Sequence, residues 1–162
     1  MKTYELILLD RDGVINLDGD GYISDPKKWH PFPGSLEAIV KLNQAGKKVA
    51  VISNQSGLGR GLITEPQLLT VHQKMLNALA DLGGNIDHIF YCPHHPNENC
   101  QCRKPKIHLL ALAQKKFNIP LEKTIIIGDS ECDLLAGKAF GCDANLVLTG
   151  RGEMTLKNLE DP

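Results

Sequence analysis

Five short apolar runs alternate along this chain with stretches of helical periodicity, and that alternation restricts the fold more than any other feature. Leu6 to Leu9, Val49 to Ile52, Ile89 to Tyr91, Ile125 to Ile127 and Asn145 to Leu148 read as buried strands. Between the first two, Ser35 can cap a helix whose Leu36, Ile39, Val40 and Leu42 share one face before Gly46 ends it. Thr64-Glu65-Pro66-Gln67 resembles a capping box with proline in the first turn, and Leu68, Leu69, Met75, Leu76, Leu79 and Leu82 carry the period up to Gly83 and Gly84. A third helix fits Ile107 to Phe117, closed by Asn118 and Pro120, and a fourth fits Asp133 to Phe140, closed by Gly141. Parallel strands need crossover connections, and helices are the usual crossover, so the pattern predicts an α/β fold: a three-layer, doubly wound, mostly parallel sheet. The 162 residues suit a single domain spanning 1–162.

In such a sheet ligands gather beyond the carboxyl ends of the strands, and that is where the polar residues fall. Asp10 and Asp12 follow the first run, Ser53 and Asn54 the second, and Gly128 and Asp129 the fourth. A bare D-x-D is common in loops, where Asp binds its own backbone, and an acidic pair such as Asp129 and Asp133 near a helix start can be simple dipole compensation. Convergence of Asp10, Asp12 and Asp129 on one sheet edge is a different matter. Three carboxylates there repel one another unless a hard cation such as Mg2+ neutralises them.

Five cysteines, an odd number, argue against a disulfide framework. Cys92, His94, Cys100 and Cys102 lie within one loop in the order C-x-H, five residues, C-x-C, which fits a tetrahedral Zn2+ site filled by protein and therefore structural. His95 is an alternative ligand beside His94. Arg103 and Lys104 follow directly, so an ordered zinc loop would hold two cations at a fixed place. Cys132 and Cys142 read as small buried hydrophobes.

These residues together resemble the haloacid dehalogenase (HAD) superfamily of phosphotransferases, whose four motifs occur here in order: Asp10-Arg11-Asp12-Gly13, Ser53, Lys104, and Gly128-Asp129 with Asp133. The resemblance implies a Rossmann-like HAD fold. It makes Asp10 the nucleophile, Asp12 the general acid and base, Ser53 and Lys104 phosphate binders, and Asp10, Asp12 and Asp129 the Mg2+ ligands, with Asp133 in support. A carboxylate nucleophile divides phosphate ester hydrolysis into two easier steps through an aspartyl-phosphate, and a second carboxyl can serve both proton transfers.

Within the superfamily the motifs, the zinc loop and Cys102-Arg103-Lys104-Pro105 are similar to the heptose and histidinol phosphatase group. Asn16, Tyr22 and the run Ser53-Asn54-Gln55-Ser56-Gly57-Leu58-Gly59-Arg60-Gly61 fit the sugar branch, which supplies a precursor of activated heptose for lipopolysaccharide. The amino-alcohol branch usually has Asp where Ser56 stands and lacks Arg60. Asn54, Gln55, Ser56, Arg60 and Arg103 are accordingly the expected substrate contacts. Ser53 replaces the threonine commoner in the group and keeps the hydroxyl. The segments between motifs leave no room for an inserted cap domain, so the fold is expected to be capless, with loops Asn16 to Pro33, Ser56 to Ile63 and Cys92 to Pro105 shaping specificity.

Composition excludes several partners. A net charge of -1 with no basic cluster gives no electrostatic case for nucleic acid. The absence of any apolar run near the roughly 20 residues that span a bilayer gives none for a membrane. Without a secretory signal pattern at Met1 to Glu5, a monomer in the cytoplasm acting on a small sugar phosphate is expected. A non-catalytic phospholigand-binding module is the rival reading, disfavoured by the intact Asp10 and Asp12.

Overall fold

The computed structural model describes residues 1–19 and 21–160, leaving only Asp20 and positions 161–162 of the expected domain outside. Five strands form one sheet: β1 (Leu6–Leu9), β2 (Lys48–Asn54), β3 (His88–Cys92), β4 (Thr124–Gly128) and β5 (Asp143–Leu146). All pairings are parallel, in the order β3-β2-β1-β4-β5. Leu8 of β1 lies opposite Ala50 on one side and Ile126 on the other. The chain thus winds outward from β1 through β2 to β3, then returns to β4, so the crevice between β1 and β4 is the topological switch point where α/β sheets bind ligands.

Alternation along the strands divides the core in two. Ile7, Leu9, Val49 and Val51 face α1 (Ser35–Gln44) and α2 (Glu65–Asp81), packing with Leu36, Ile39, Val71, Met75 and Leu79. Leu6, Leu8, Ala50, Ile52 and Ile126 face the opposite way, onto α3 (His108–Phe117) and α4 (Glu131–Phe140), and meet Leu109, Leu110, Ala113 and Ala136. Each of the larger side chains removed from water contributes about 1.5–3 kcal/mol, so both faces are needed and the expected three-layer arrangement results. No inserted domain interrupts the series among the described residues, and no helix is long and apolar enough to cross a membrane.

Several local expectations shift. The Thr64 capping box forms, with Thr64 Oγ1 accepting from the Gln67 amide and the Gln67 side chain accepting from the Thr64 amide. Ser35 does not cap α1: Gly34 occupies that position, and Ser35 Oγ donates to the Ile15 carbonyl at 2.6 Å instead. The last strand covers Asp143–Leu146 rather than Asn145 to Leu148. A fifth helix, α5 (Gly152–Glu160), was not foreseen; its only apolar side chains, Met154, Leu156 and Leu159, remain partly exposed, so it carries no clear core stripe. The long segment after β1 is anchored by buried Trp29 and by Lys74 of α2, whose Nζ donates to the carbonyls of Pro26 and Trp29.

Candidate active site and metal centre

At the end of β1 the chain turns sharply, and the turn determines where the two carboxylates point. Gly13, at φ +86°, lies against the Asp129 carboxylate so closely that any Cβ would overlap it, which fixes the loops after β1 and β4 side by side. Asp10 Oδ1 accepts from the Arg11 amide at 2.8 Å and lies 3.3 Å from Lys104 Nζ. Burial pushes the Asp10 carboxyl well above the usual range. Lys104 opposes that shift, while Asp133, Asp12 and Asp129 reinforce it.

Asp12 turns away from that cluster. Its Oδ1 accepts from Arg11 Nε at 2.9 Å and Asn16 Nδ2 at 3.0 Å and pairs with Arg11 Nη2 at 2.8 Å, while Oδ2 accepts from Gln55 Nε2 at 3.1 Å. Burial acts to raise this carboxyl, but the Arg11 charge and these hydrogen bonds outweigh it and hold the group below its ordinary value. Two carboxylates only two residues apart are therefore driven in opposite directions, Asp10 upward by burial and Asp12 downward by Arg11 and its hydrogen-bond donors.

The other strand ends complete the site. Ser53, buried at the end of β2, accepts from Gln55 Nε2 at 2.8 Å. Asn54 forms a reciprocal pair with the Lys104 main chain, its Nδ2 donating to Lys104 O at 3.2 Å and its Oδ1 accepting from Lys104 N at 3.0 Å. That latch ties the segment after the cysteine loop to the sheet. Lys104 Nζ, almost fully buried, donates to Ile52 O and to Asp133 Oδ1, both at 2.6 Å. Burial works to discharge this lysine, but Asp10 and Asp133 hold its pKa above the ordinary value. Asp133 also accepts from Ser130 Oγ at 2.8 Å as part of the α4 cap. Asp129 Oδ2 accepts from the Arg151 amide at 2.9 Å, and burial raises its carboxyl despite that bond.

Two groups of side chains could hold a metal. Asp10, Asp129 and Asp133 each present a carboxylate oxygen within 4.8 Å of the others, an all-oxygen set suited to Mg2+. The Asp12 carboxylate, named as a ligand from the sequence, is taken up by Arg11, Asn16 and Gln55. In the cysteine loop Cys92 Sγ lies 3.5 Å from Cys100 Sγ and 3.0 Å from Cys102 Sγ, and His94 Nδ1 lies 3.1 Å from Cys102 Sγ. Thiolates about 2.3 Å from a tetrahedral zinc would be separated by distances of this order. His95 is not part of this group; its ring caps the following turn by accepting from the Asn97 amide at 3.0 Å.

A cleft of about 450 Å3 opens over Asp10 and Asp12. Its rim holds three cations, Arg60, Arg103 and Arg151, of which Arg151 and the neighbouring Asp18 were not anticipated. Buried Arg103 Nη1 has no hydrogen-bond partner among the described residues. Ser56 Oγ accepts from Arg60 Nε at 3.3 Å and lies 3.3 Å from the Tyr22 hydroxyl. Gly59 packs against the main chain of His94 and His95 with no space for a Cβ, so the Arg60 loop rests directly on the cysteine loop. Arg11 and His72, which act behind Asp12, were also missed. The sequence did carry a signal for His72, because it lies four residues after Leu68 and three before Met75 on the buried stripe of α2.

Known proteins resemble this chain in sequence and in fold. The HAD-hydrolase-like family model matches residues 101–161. A D-glycero-β-D-manno-heptose-1,7-bisphosphate 7-phosphatase of Pseudomonas putida is 46% identical over 94% of this chain and 87% of its own. The enzyme of the same name from Bordetella bronchiseptica is 45% identical over 94% of this chain and 85% of its own. A crystal structure of the B. bronchiseptica D,D-heptose 1,7-bisphosphate phosphatase, complexed with magnesium and phosphate, superposes with a TM-score of 0.92 at 44% identity, covering 95% of this chain and 86% of that one. The corresponding Burkholderia thailandensis structure gives a TM-score of 0.73 at 42% identity, covering 95% and 84%.

Proposed function

The chain belongs to the HAD-like hydrolases, in the family of D-glycero-β-D-manno-heptose-1,7-bisphosphate 7-phosphatases, and from that membership we propose that it releases the 7-phosphate of this sugar bisphosphate through an aspartyl-phosphate on Asp10. The observation that carries the mechanism is geometric: the Asp10 carboxylate lies 3.3 Å from Lys104 Nζ in the cleft at the end of β1, with Asp12 and Asp129 lining the same cleft. Its metabolic place would be the supply of activated heptose for lipopolysaccharide.

In the first half-reaction a carboxylate oxygen of Asp10 forms a bond to phosphorus as the bond to the sugar oxygen breaks, and Asp12 gives that oxygen a proton. The hydrogen bonds to Asp12 favour its ionised form in the free enzyme, but a phosphate dianion entering the cleft raises the carboxyl by like-charge repulsion and favours the acid. In the second, Asp12 takes a proton from water, the hydroxide attacks phosphorus, and the carboxylate of Asp10 leaves. Lys104 and Ser53 hold phosphoryl oxygens throughout. Asn54 and Gln55 act by fixing Lys104, Ser53 and Asp12, while Ser56, Arg60 and Arg103 contact the sugar or its second phosphate.

Mg2+ would be held by the carboxylates of Asp10 and Asp129, with the Asp133 carboxylate beside them. When bound, the cation neutralises charge on the phosphate. Zn2+ on Cys92, His94, Cys100 and Cys102 would order the loop that delivers Arg103 and Lys104. The chain would work as a single-domain monomer in the cytoplasm, without nucleic-acid or membrane partners.

Phosphate release with Mg2+ present, comparing D-glycero-β-D-manno-heptose 1,7-bisphosphate with histidinol phosphate, tests the assignment. A preference of about 100-fold for the sugar, roughly 2.7 kcal/mol of transition-state discrimination, is the expected result. The reverse preference would transfer the chain to the amino-alcohol branch.

A further inference from the structure

We infer that His72 is a positioning residue for the proton-transfer step, holding Arg11 so that Arg11 in turn fixes the Asp12 carboxylate. The inference rests on the reading of Asp12 as general acid and base. His72 projects from the middle of α2 and is only 4% exposed. Its Nε2 lies 3.1 Å from Arg11 Nη1. Because arginine has only donors, His72 must be the acceptor, so the imidazole is neutral with its proton on Nδ1. Burial, together with the Arg11 charge, holds its pKa down to about 4 and keeps it in that form at neutral pH.

The guanidinium is itself fully buried: Nη1 meets His72, Nε donates to Asp12 Oδ1 at 2.9 Å, and Nη2 lies 2.8 Å from the same oxygen as an ion-pair contact without a hydrogen bond of its own among the described residues. This planar fork transmits orientation, since anchoring Nη1 fixes the plane in which the other two nitrogens meet the carboxylate. The Tyr91 ring, 5.9 Å from the imidazole between centroids at an interplanar angle of 60°, packs on the histidine from β3. Without the acceptor, a buried donor on Arg11 is left unpaired. The guanidinium can then regain a partner only by turning, and Asp12 turns with it.

The leaving group distinguishes positioning from general damage. An alkoxide departing from a sugar needs the proton from Asp12, whereas p-nitrophenolate departs without one, and kcat/KM reports only the steps through departure of the leaving group. For His72→Leu, kcat/KM on the heptose bisphosphate is expected to fall about tenfold while that on p-nitrophenyl phosphate stays within about twofold. His72→Gln, whose amide oxygen can accept from Arg11, should restore most of the loss. Arg11→Lys keeps the charge without the fork and should show the same selective loss, which covers a His72→Leu protein that does not fold. Equal losses on both esters, or no loss on either, would overturn the positioning role. Asp12→Asn measured alongside separates the two readings: if it spares p-nitrophenyl phosphate and His72→Leu does not, His72 alone is misassigned; if Asp12→Asn makes no distinction, the acid assignment falls and takes this inference with it.

Discussion

Lys104 Nζ lies 2.6 Å from Asp133 Oδ1 and 3.3 Å from Asp10 Oδ1, so one buried cation serves both a wholly buried structural carboxylate and the proposed nucleophile. Breaking such a pair by removing one partner costs about 3–5 kcal/mol, because the remaining charge stays buried. Lys104→Met should lower stability by that order in urea unfolding. Lys104→Met combined with Asp133→Asn should recover much of the stability and none of the phosphatase activity, since the phosphate still lacks its ammonium.

Asp10→Asn removes the attacking oxygen while keeping the shape. Turnover should fall by at least about three orders of magnitude in a phosphate-release assay. The folded-state pKa of Asp10 is raised, so its ionised form detracts from stability at pH 7, and the neutral amide should melt at the same temperature or higher. A variant that retained turnover would remove Asp10 from the chemistry.

Cys100→Ser should reduce bound zinc below one ion per chain in elemental analysis and lower stability by about 2 kcal/mol or more, as loss of a structural metal does. Unchanged zinc content would show that Cys100 is not a ligand.

His72 gives a pH signature of its own. Its folded pKa of about 4 lies below the ordinary 6.5, so between these values the unfolded chain binds the proton more readily and stability falls as pH is lowered through that window. The full drop is about 3 kcal/mol. Comparing urea midpoints at about pH 7 and about pH 4.5, His72→Gln should lose much less stability on acidification than the parent protein.

The sheet was legible because strands buried on both faces read as continuous apolar runs, and Leu6–Leu9 and Thr124–Gly128 are of that kind. Asp143–Leu146 lies at the sheet edge and is only partly buried, so its hydrophobic signal is weak and its position moved by two residues. The residues proposed to touch phosphate stand out in sequence because Asp10, Ser53 and Asp129 follow strands or end them. Arg11 and His72 do not: one is the residue between two carboxylates, and the other occupies a core position on a helix. Their pairing spans 61 residues and exists only after α2 has packed on the sheet. Asn54 was visible as a polar residue at a strand end, but its latch on the Lys104 main chain needed the fold to bring β2 and the cysteine loop together.

The contact of Gly59 with the main chain of His94 and His95 also bears on how specificity can change over evolutionary time. Two loops moulded to one another at zero clearance are inherited as a block. A substitution that enlarges residue 59 displaces the Arg60 loop even though Asp10, Asp12 and Ser53 lie on other segments. New substrates are therefore reached by exchanging both loops at once or by changing side chains that point away from the seam, and the catalytic carboxylates can stay fixed while the rim above them diversifies.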